Sequence, residues 1–453
     1  MTSWEKFCTD WKGKNVLVMG LGLQGRGIGG ARVFCQAGAN VTVTDLKSDQ
    51  QLQPALKKLK NLPIKYALGN HREEDFRSHD MVLRNPDVPR TSQFLKVARE
   101  SGIPIMMDSS LFAKYCQLPI IGITGTRGKT TTTMMIYEIL KKLYPGTVYL
   151  GGNIPGKATL ELLNEVQEGT RMYKNVQEGI TVLELSSWEL QGWDDEKISP
   201  NIVVFTNLYE DHLNRYKSMD DYFQDKLAVL RYQNKTDWAI LNSTNPWTKK
   251  AARETKARIK WFNAADLADD ISLEVPGGHN RANAAAALAV AASLELDKEK
   301  TLGILAKFKG VPSRLETIAT IDGVEYINDT TSTTPAAGIA ALAAIKKPIV
   351  LIAGGSSKKL DLRLFAKEIV RRVKHVIFLK GDGTDEILKS LGRDDRIVFD
   401  DFQMAIDRAR QLAKPGDVVL LSPGCASFSM FKNEFDRGDQ FNQVVLGWQP
   451  KKV

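Results

Sequence analysis

The chain has little of what marks a secreted, membrane-spanning or metal-scaffold protein. Its 453 residues include four cysteines, Cys8, Cys35, Cys116 and Cys425, none at CxxC spacing. That leaves no disulfide framework and no zinc pattern, and scattered single thiols suit a reducing compartment. No apolar run approaches the roughly 18 residues needed to span a bilayer. The first residues, Met1-Thr2-Ser3-Trp4-Glu5-Lys6, lack the apolar centre of a signal peptide. A cytoplasmic protein without membrane contact is therefore expected. Repeats of solenoid period and low-complexity tracts are missing. So is a Ser-His-Asp or reactive-cysteine pattern for nucleophilic catalysis.

What is there is a basic, well-patterned globular chain. The net charge is +9, with 43% hydrophobic and 25% charged residues. Lys and Arg are scattered rather than gathered on one face, which argues against nucleic acid and suits substrates bearing phosphates or carboxylates. At roughly 100–200 residues per domain, the length implies two to four domains. Short β-rich apolar runs alternate with helical patterns, which predicts α/β architecture with parallel sheets and crossover helices. Three strand–glycine–helix openings stand out: Asn15–Met19 into Gly20-Leu21-Gly22-Leu23-Gln24-Gly25, Pro119–Ile123 into Thr124-Gly125-Thr126-Arg127-Gly128, and Pro348–Ala353 into Gly354-Gly355-Ser356-Ser357-Lys358. Each is expected to start or centre its own sheet. The predicted domains are residues 1–115, Rossmann-like; 116–312, a P-loop ATPase-like parallel sheet; and 313–453, Rossmann-like again.

The second opening carries the strongest chemistry. A strand, a glycine loop and a helix starting near Lys129 aim backbone N–H groups at phosphate oxygens. In Gly125-Thr126-Arg127-Gly128-Lys129-Thr130-Thr131, Lys129 would reach the outer phosphates and the Thr130 hydroxyl would ligate Mg²⁺. Thr181–Ser187 reads as a strand ending near Glu184, which serves equally well as a second metal ligand or as a solvent-facing strand-end residue. His212 follows the strand Asn201–Asn207 beside Glu210 and Asp211, which favours function. Lys226 falls in a helical pattern and reads, on sequence alone, as a solvated helix lysine. The first opening fits an NAD site, with Asp45 at the end of the next strand for the ribose. It keeps open an NAD-binding oxidoreductase or sensor, although that leaves Gly125–Thr131 unexplained.

Taken together, the motifs resemble the Mur ligases of peptidoglycan synthesis. The resemblance rests on Thr124–Thr131, Gly151-Gly152-Asn153-Ile154-Pro155, Glu184-Leu185-Ser186-Ser187 and Asn207-x₃-Asp211-His212-Leu213. It continues through Gly278-His279-Asn280-x₂-Asn283, Arg314-x-Glu316 and Asn328-Asp329. The N-terminal glycines and the C-terminal Ser422-Pro423-Gly424-Cys425-Ala426-Ser427 and Phe431-Lys432-Asn433 point within the family to the type that adds glutamate. The resemblance implies three α/β domains, ATP, two Mg²⁺ ions and a carbamylated Lys226. Only a neutral amine reacts with CO₂, and crowding by cations favours that form.

The same resemblance implies that Lys129 and Thr130 hold ATP phosphates and the first Mg²⁺, with Glu184 and His212 at the second. Asn280, Asn283, Arg314 and Asp329 would meet the nucleotide. Gly22, Leu23, Gln24, Asp45, Asn85, Pro86, Asn153 and Ser186 would hold the acceptor, UDP-N-acetylmuramoyl-L-alanine, and Thr333, Lys358 and Ser427 would hold glutamate. The implied reaction makes an acyl phosphate from the acceptor carboxylate, which the glutamate amine then attacks, in a protein working as a monomer. D-glutamate is favoured by the family's usual substrate. Two positions depart from the pattern: Thr331 stands where a lysine is usual, and Glu434 precedes Phe435 where an aromatic residue is expected first. They leave open a related ligase adding L-glutamate to the same acceptor. A folylpolyglutamate synthase or another Mur ligase would lack the glycine start or the Phe431-Lys432-Asn433 end. A catalytically dead regulator would be expected to lose Lys129, Glu184 or Lys226.

Overall fold

The computed structural model describes residues 1–22, 25–145, 148–154, 158–166, 179–211, 215–268, 270–275, 277–392 and 397–448. Its described residues form three sheets in two compact units. One unit comprises Met1–Glu210, Ser218–Asn263 and Ala285–Thr301; the other comprises Asp211–Lys217, Ala264–Ala284 and Leu302–Val453.

The first unit holds two parallel sheets. In one, β1 (Asn15–Met19), β2 (Asn40–Asp45), β3 (Ile64–Leu68), β4 (Met81–Arg84) and β5 (Ile105–Met106) run in the order β3-β2-β1-β4-β5. The order reverses between β1 and β4, which makes a ligand crevice beyond their carboxyl ends. In the other, β6 (Ile120–Thr124), β7 (Val148–Gly152), β8 (Ile180–Glu184), β9 (Ile202–Phe205), β10 (Trp238–Asn242) and β11 (Arg258–Phe262) run β11-β10-β9-β6-β8-β7. Every residue of β6, β8 and β9 is buried. Their unbroken apolar runs are what a sheet covered on both faces requires.

The second unit holds β12 (Glu316–Ile321), β13 (Val324–Asn328), β14 (Ile349–Gly354), β15 (Val373–Leu379), β16 (Val398–Phe399) and β17 (Val418–Leu421), in the order β12-β13-β17-β14-β15-β16. Alternate residues of β14 face opposite cores: Val350 and Ile352 pack with Phe402 and Phe441, while Ile349, Leu351 and Ala353 pack with Phe365 and Leu342. At about 1.5–3 kcal/mol per large apolar side chain, such a strand anchors both layers. The expectation of parallel sheets needs one correction here. β12 pairs antiparallel with β13, because Asp322 and Gly323, both at positive φ, make the tight two-residue turn of a hairpin.

β1, β6 and β14, the three strands of the glycine openings, all lie inside their sheets. No described helix is long and apolar enough to cross a membrane.

Candidate functional site

The phosphate-type loop is built as a fixed cradle. β6 ends at Thr124, and helix Lys129–Leu143 begins on Gly128, its N-cap at φ +79°. Gly125 has φ +144°, and a Cβ there would lie 1.9 Å from Thr206 Oγ1, so only glycine fits. Asn207 holds the loop from outside. Thr126 N donates to Asn207 O at 2.9 Å, and Arg127 N donates to Asn207 Oδ1 at 2.9 Å. Asn207 Nδ2 and Thr206 Oγ1 donate to Arg127 O at 3.1 and 2.7 Å. Lys129 Nζ folds back to donate to Gly125 O and Thr126 O at 2.9 and 3.2 Å. Its ammonium thus hangs over the loop that a phosphate would occupy. Thr130 and Thr131 follow in the first helical turn.

β8 ends on Glu184, which is 2% exposed. Its Oε1 accepts from Asn153 Nδ2 at 3.0 Å, and its Oε2 has no hydrogen-bond partner among the described residues. A buried carboxylate with one open oxygen fits a hard cation. Asn153 reaches it because Gly152, at φ +87°, lets the chain pass close to β8: a Cβ there would lie 2.0 Å from Glu184 O. Asn153 N donates to that carbonyl at 2.7 Å. Ser186 has a local duty, capping helix Ser187–Asp195 in a reciprocal pair with Glu189.

Lys226 is 1% exposed. The reading of a solvated helix lysine is overturned, because helix Met219–Arg231 buries the face carrying Tyr222, Phe223, Lys226, Leu227 and Leu230. Lys226 Nζ donates to Thr124 Oγ1 at 3.4 Å and lies 5.0 Å from the Tyr222 ring centre. It therefore touches the residue that opens the phosphate-type loop. Among the described residues no three His, Cys, Asp or Glu side chains gather as a ready metal cluster. A cation here would draw on Thr130 and Glu184. His212, Leu23 and Gln24 lie outside the described residues.

In the first sheet, Asp45 is 8% exposed. Its Oδ2 accepts from Leu21 N at 2.9 Å and Gly22 N at 3.3 Å, and its Oδ1 accepts from Lys47 N at 2.9 Å. The carboxylate thus shapes the glycine loop. Asn85 Nδ2 donates to Gly20 O at 3.0 Å. Asn85 and Pro86 line a small cavity together with Arg26, Arg84 and Asp108.

Those last three were not singled out from sequence. Arg84 is buried, and desolvation holds its guanidinium down to about 10. It donates to Gln191 Oε1 at 2.6 Å, and Gln191 Nε2 donates to Asp225 Oδ2 at 2.6 Å, beside Lys226. Arg26 donates to Asn153 Oδ1. Its one sequence signal is a cation on the first helical residue, where the helix dipole disfavours it.

The second unit gathers the remaining residues. Asn283 Nδ2 donates to Asn280 Oδ1 at 3.1 Å, near the start of helix Gly278–Ser293. Asp329 accepts from Ser422 Oγ at 2.8 Å and Leu315 N at 3.2 Å. Burial pushes its carboxyl up to about 7, against smaller opposing pulls from the Ser422 and Leu315 hydrogen bonds and then from Arg314. Lys358 Nζ donates to Thr333 Oγ1 at 2.9 Å, so two of the residues expected to hold glutamate touch. A bridge between Ser356 and Ala426 sets Ser427 beside the Lys358 segment. Ser427 is 1% exposed, and its Oγ has no hydrogen-bond partner among the described residues. The departing positions meet one threonine pair. Thr331 Oγ1 donates to Ser313 O at 2.9 Å, and Thr330 Oγ1 donates to Glu434 O at 2.8 Å. Buried Arg437 clamps Thr330 through both its hydroxyl and its carbonyl.

Known proteins resemble the chain along nearly all of it. Residues 14–107 match the family model described as Mur ligase MurD-like, N-terminal domain. Residues 123–271 match the Mur ligase middle domain, and residues 313–425 match the Mur ligase, glutamate ligase domain. A UDP-N-acetylmuramoylalanine–D-glutamate ligase of Roseiflexus sp. is 40% identical over 96% of this chain and 98% of its own length. The ligase of the same name from Borreliella afzelii is 36% identical over the same shares. Among solved structures, the UDP-N-acetylmuramate-alanine ligase of Thermotoga maritima aligns at 20% identity over 96% of this chain and 100% of that one, with a TM-score of 0.62. MurF from Acinetobacter baumannii aligns at 16% identity over 99% and 93%, with a TM-score of 0.59. At those identities the two structures speak to fold alone.

Proposed function

Because the chain belongs to the Mur ligase family, we propose that it joins D-glutamate to the alanine carboxylate of UDP-N-acetylmuramoyl-L-alanine, with ATP cleaved to ADP and phosphate. One observation carries the chemistry. The cradle under Lys129, the open oxygen of Glu184 and the buried amine of Lys226 all lie at the carboxyl ends of β6 and β8 or touch Thr124 there.

The acceptor carboxylate attacks the γ-phosphorus, ADP leaves, and an acyl phosphate results. The glutamate amine adds to the acyl carbon and loses a proton, and phosphate departs. No protein nucleophile is needed. Lys129 and the loop amides stabilise charge on the phosphates by position alone. Mg²⁺, when bound, would supply further charge neutralisation, and Thr130, Glu184 and His212 would hold it. Lys226 as a carbamate would offer two new oxygens toward a pair of such ions. Asn280, Asn283, Arg314 and Asp329 receive the nucleotide. The glycine loop, braced by Asp45 and Asn85, receives the UDP end of the acceptor, and Asn153 the sugar–peptide end. Thr333, Lys358 and Ser427 receive glutamate, whose two carboxylates suit a lysine. The domain joins lie near residues 115 and 312. The protein works in the cytoplasm as a monomer, without nucleic acid.

A second reading, L-glutamate with the same acceptor, draws on Thr331 and Glu434, which both pack around the Thr330 segment next to Thr333. The decisive experiment is phosphate release with ATP, Mg²⁺ and UDP-N-acetylmuramoyl-L-alanine, run separately with D- and L-glutamate. Turnover with D-glutamate is expected. Turnover with the L-isomer alone would move the assignment to the second reading, and silence with both would reject the acceptor.

A further inference from the structure

Arg26 is the first residue of helix Arg26–Gln36. A cation at the positive end of a helix dipole gains nothing from that helix. Its side chain, 16% exposed, extends instead to the second sheet. There it donates to Asn153 Oδ1 and lies 3.8 Å from Glu189 Oε1. Glu189 is 1% exposed, and that oxygen has no hydrogen-bond partner among the described residues.

A side-chain amide has an accepting end and a donating end. With Oδ1 taken by a guanidinium, Nδ2 is left for Glu184, and it donates to Oε1 at 3.0 Å. Turned the other way, the amide would set its oxygen against a carboxylate. Arg26 and Glu184 together therefore fix which way Asn153 faces, Arg26 from the oxygen end. Asn153 in turn decides which oxygen of Glu184 is occupied and which is left open.

We propose that Arg26 is a positioning residue for the divalent cation at Glu184, acting through Asn153 and joining the acceptor-binding glycine loop to the metal site. The proposal rests on the reading of Glu184 as a metal ligand. Its sign is distinctive. If Arg26 acted by charge alone, its removal would strengthen cation binding, since one positive charge would leave. If it acts by orientation, removal weakens binding.

The test is Mn²⁺ affinity of the full chain with ADP, read from the free Mn²⁺ signal by electron paramagnetic resonance. Arg26→Met is expected to weaken Mn²⁺ binding roughly tenfold, the scale of losing an outer partner of a metal ligand. Asn153→Ala should do the same, and Arg26→Met combined with Asn153→Ala should be no weaker than Asn153→Ala alone. Wild-type or tighter binding by Arg26→Met, or additive losses in the double variant, would overturn the proposal. Glu184→Gln separates it from the underlying reading. Loss in Glu184→Gln but not in Arg26→Met rejects the positioning role alone, whereas wild-type affinity in Glu184→Gln rejects the metal ligand as well. If Arg26→Met does not fold, Arg26→Met with Glu189→Gln removes both charges and carries the same expectation.

Discussion

Lysine is rarely buried as completely as Lys226, at 1% exposure, unless its head group has a task. Its neighbours on the buried helix face, Tyr222, Phe223, Leu227 and Leu230, fall at helical spacing in the sequence. A lysine on that apolar stripe was legible as misplaced, and the frequency with which helix lysines are solvated hid it. Glu184 posed the opposite problem. A carboxylate at a strand end is ambiguous locally, and only the fold leaves its Oε2 buried and open. Under the proposed function, Lys226→Ala should lose roughly 10²-fold or more in ligase rate, the scale of removing one charge-stabilising group. Short carboxylic acids should restore part of it by supplying the missing oxygens. Phosphate-release assays with and without acetate check this, and a folded Lys226→Ala protein indifferent to every short carboxylate would remove the carbamate from the mechanism.

At the scale of elements, what the sequence revealed most clearly was where glycine interrupts an apolar run. β1, β6 and β14 each end in such an interruption, and each lies inside its sheet. Glycine signals there because it alone accepts the left-handed turn or the close passage that follows. The Asp322-Gly323 hairpin carried an equally clear turn signal, but the βα alternation around it masked an antiparallel edge. Gly152 shows the energetic side. Its φ of +87° and the 2.0 Å approach of a Cβ to Glu184 O leave no room for alanine. Gly152→Ala should destabilise the protein by about 1–3 kcal/mol from backbone strain alone, with more from the clash. It should also weaken Mn²⁺ binding, because Asn153 loses its place. Urea denaturation beside the Mn²⁺ titration reads both, and unchanged stability would show that β7 does not need the left-handed residue.

Across the whole chain, the sequence marked three sheets but not how the first two are joined. The helix before the expected join, Asp108–Tyr115, is bound to both sheets' surroundings. Ser3 Oγ donates to Tyr115 O at 2.7 Å, and Trp193 Nε1 donates to Ser109 Oγ at 3.1 Å. Asp108 accepts from Thr159 N at 2.7 Å and Leu160 N at 3.0 Å. Such contacts link residues far apart in the chain, and no local pattern announces them. They also predict a pH dependence. Burial pushes the Asp108 carboxyl from an ordinary 3.8 up to about 6, outweighing its two backbone donors. The folded chain then holds a proton that the unfolded chain has released. Stability from this group is therefore full below about pH 4 and is lost as pH rises through about 6, by on the order of 3 kcal/mol. Asp108→Asn stays neutral at every pH but can accept from only one of the two amides. It should be less stable than wild type at pH 5, by about 1–3 kcal/mol for the orphaned N–H. The gap should narrow or close at pH 8, where the wild type carries the buried charge. Urea midpoints of both proteins at the two pH values decide it, and a gap that stays constant or widens with pH would mean that Asp108 is already ionised in the folded protein at pH 5.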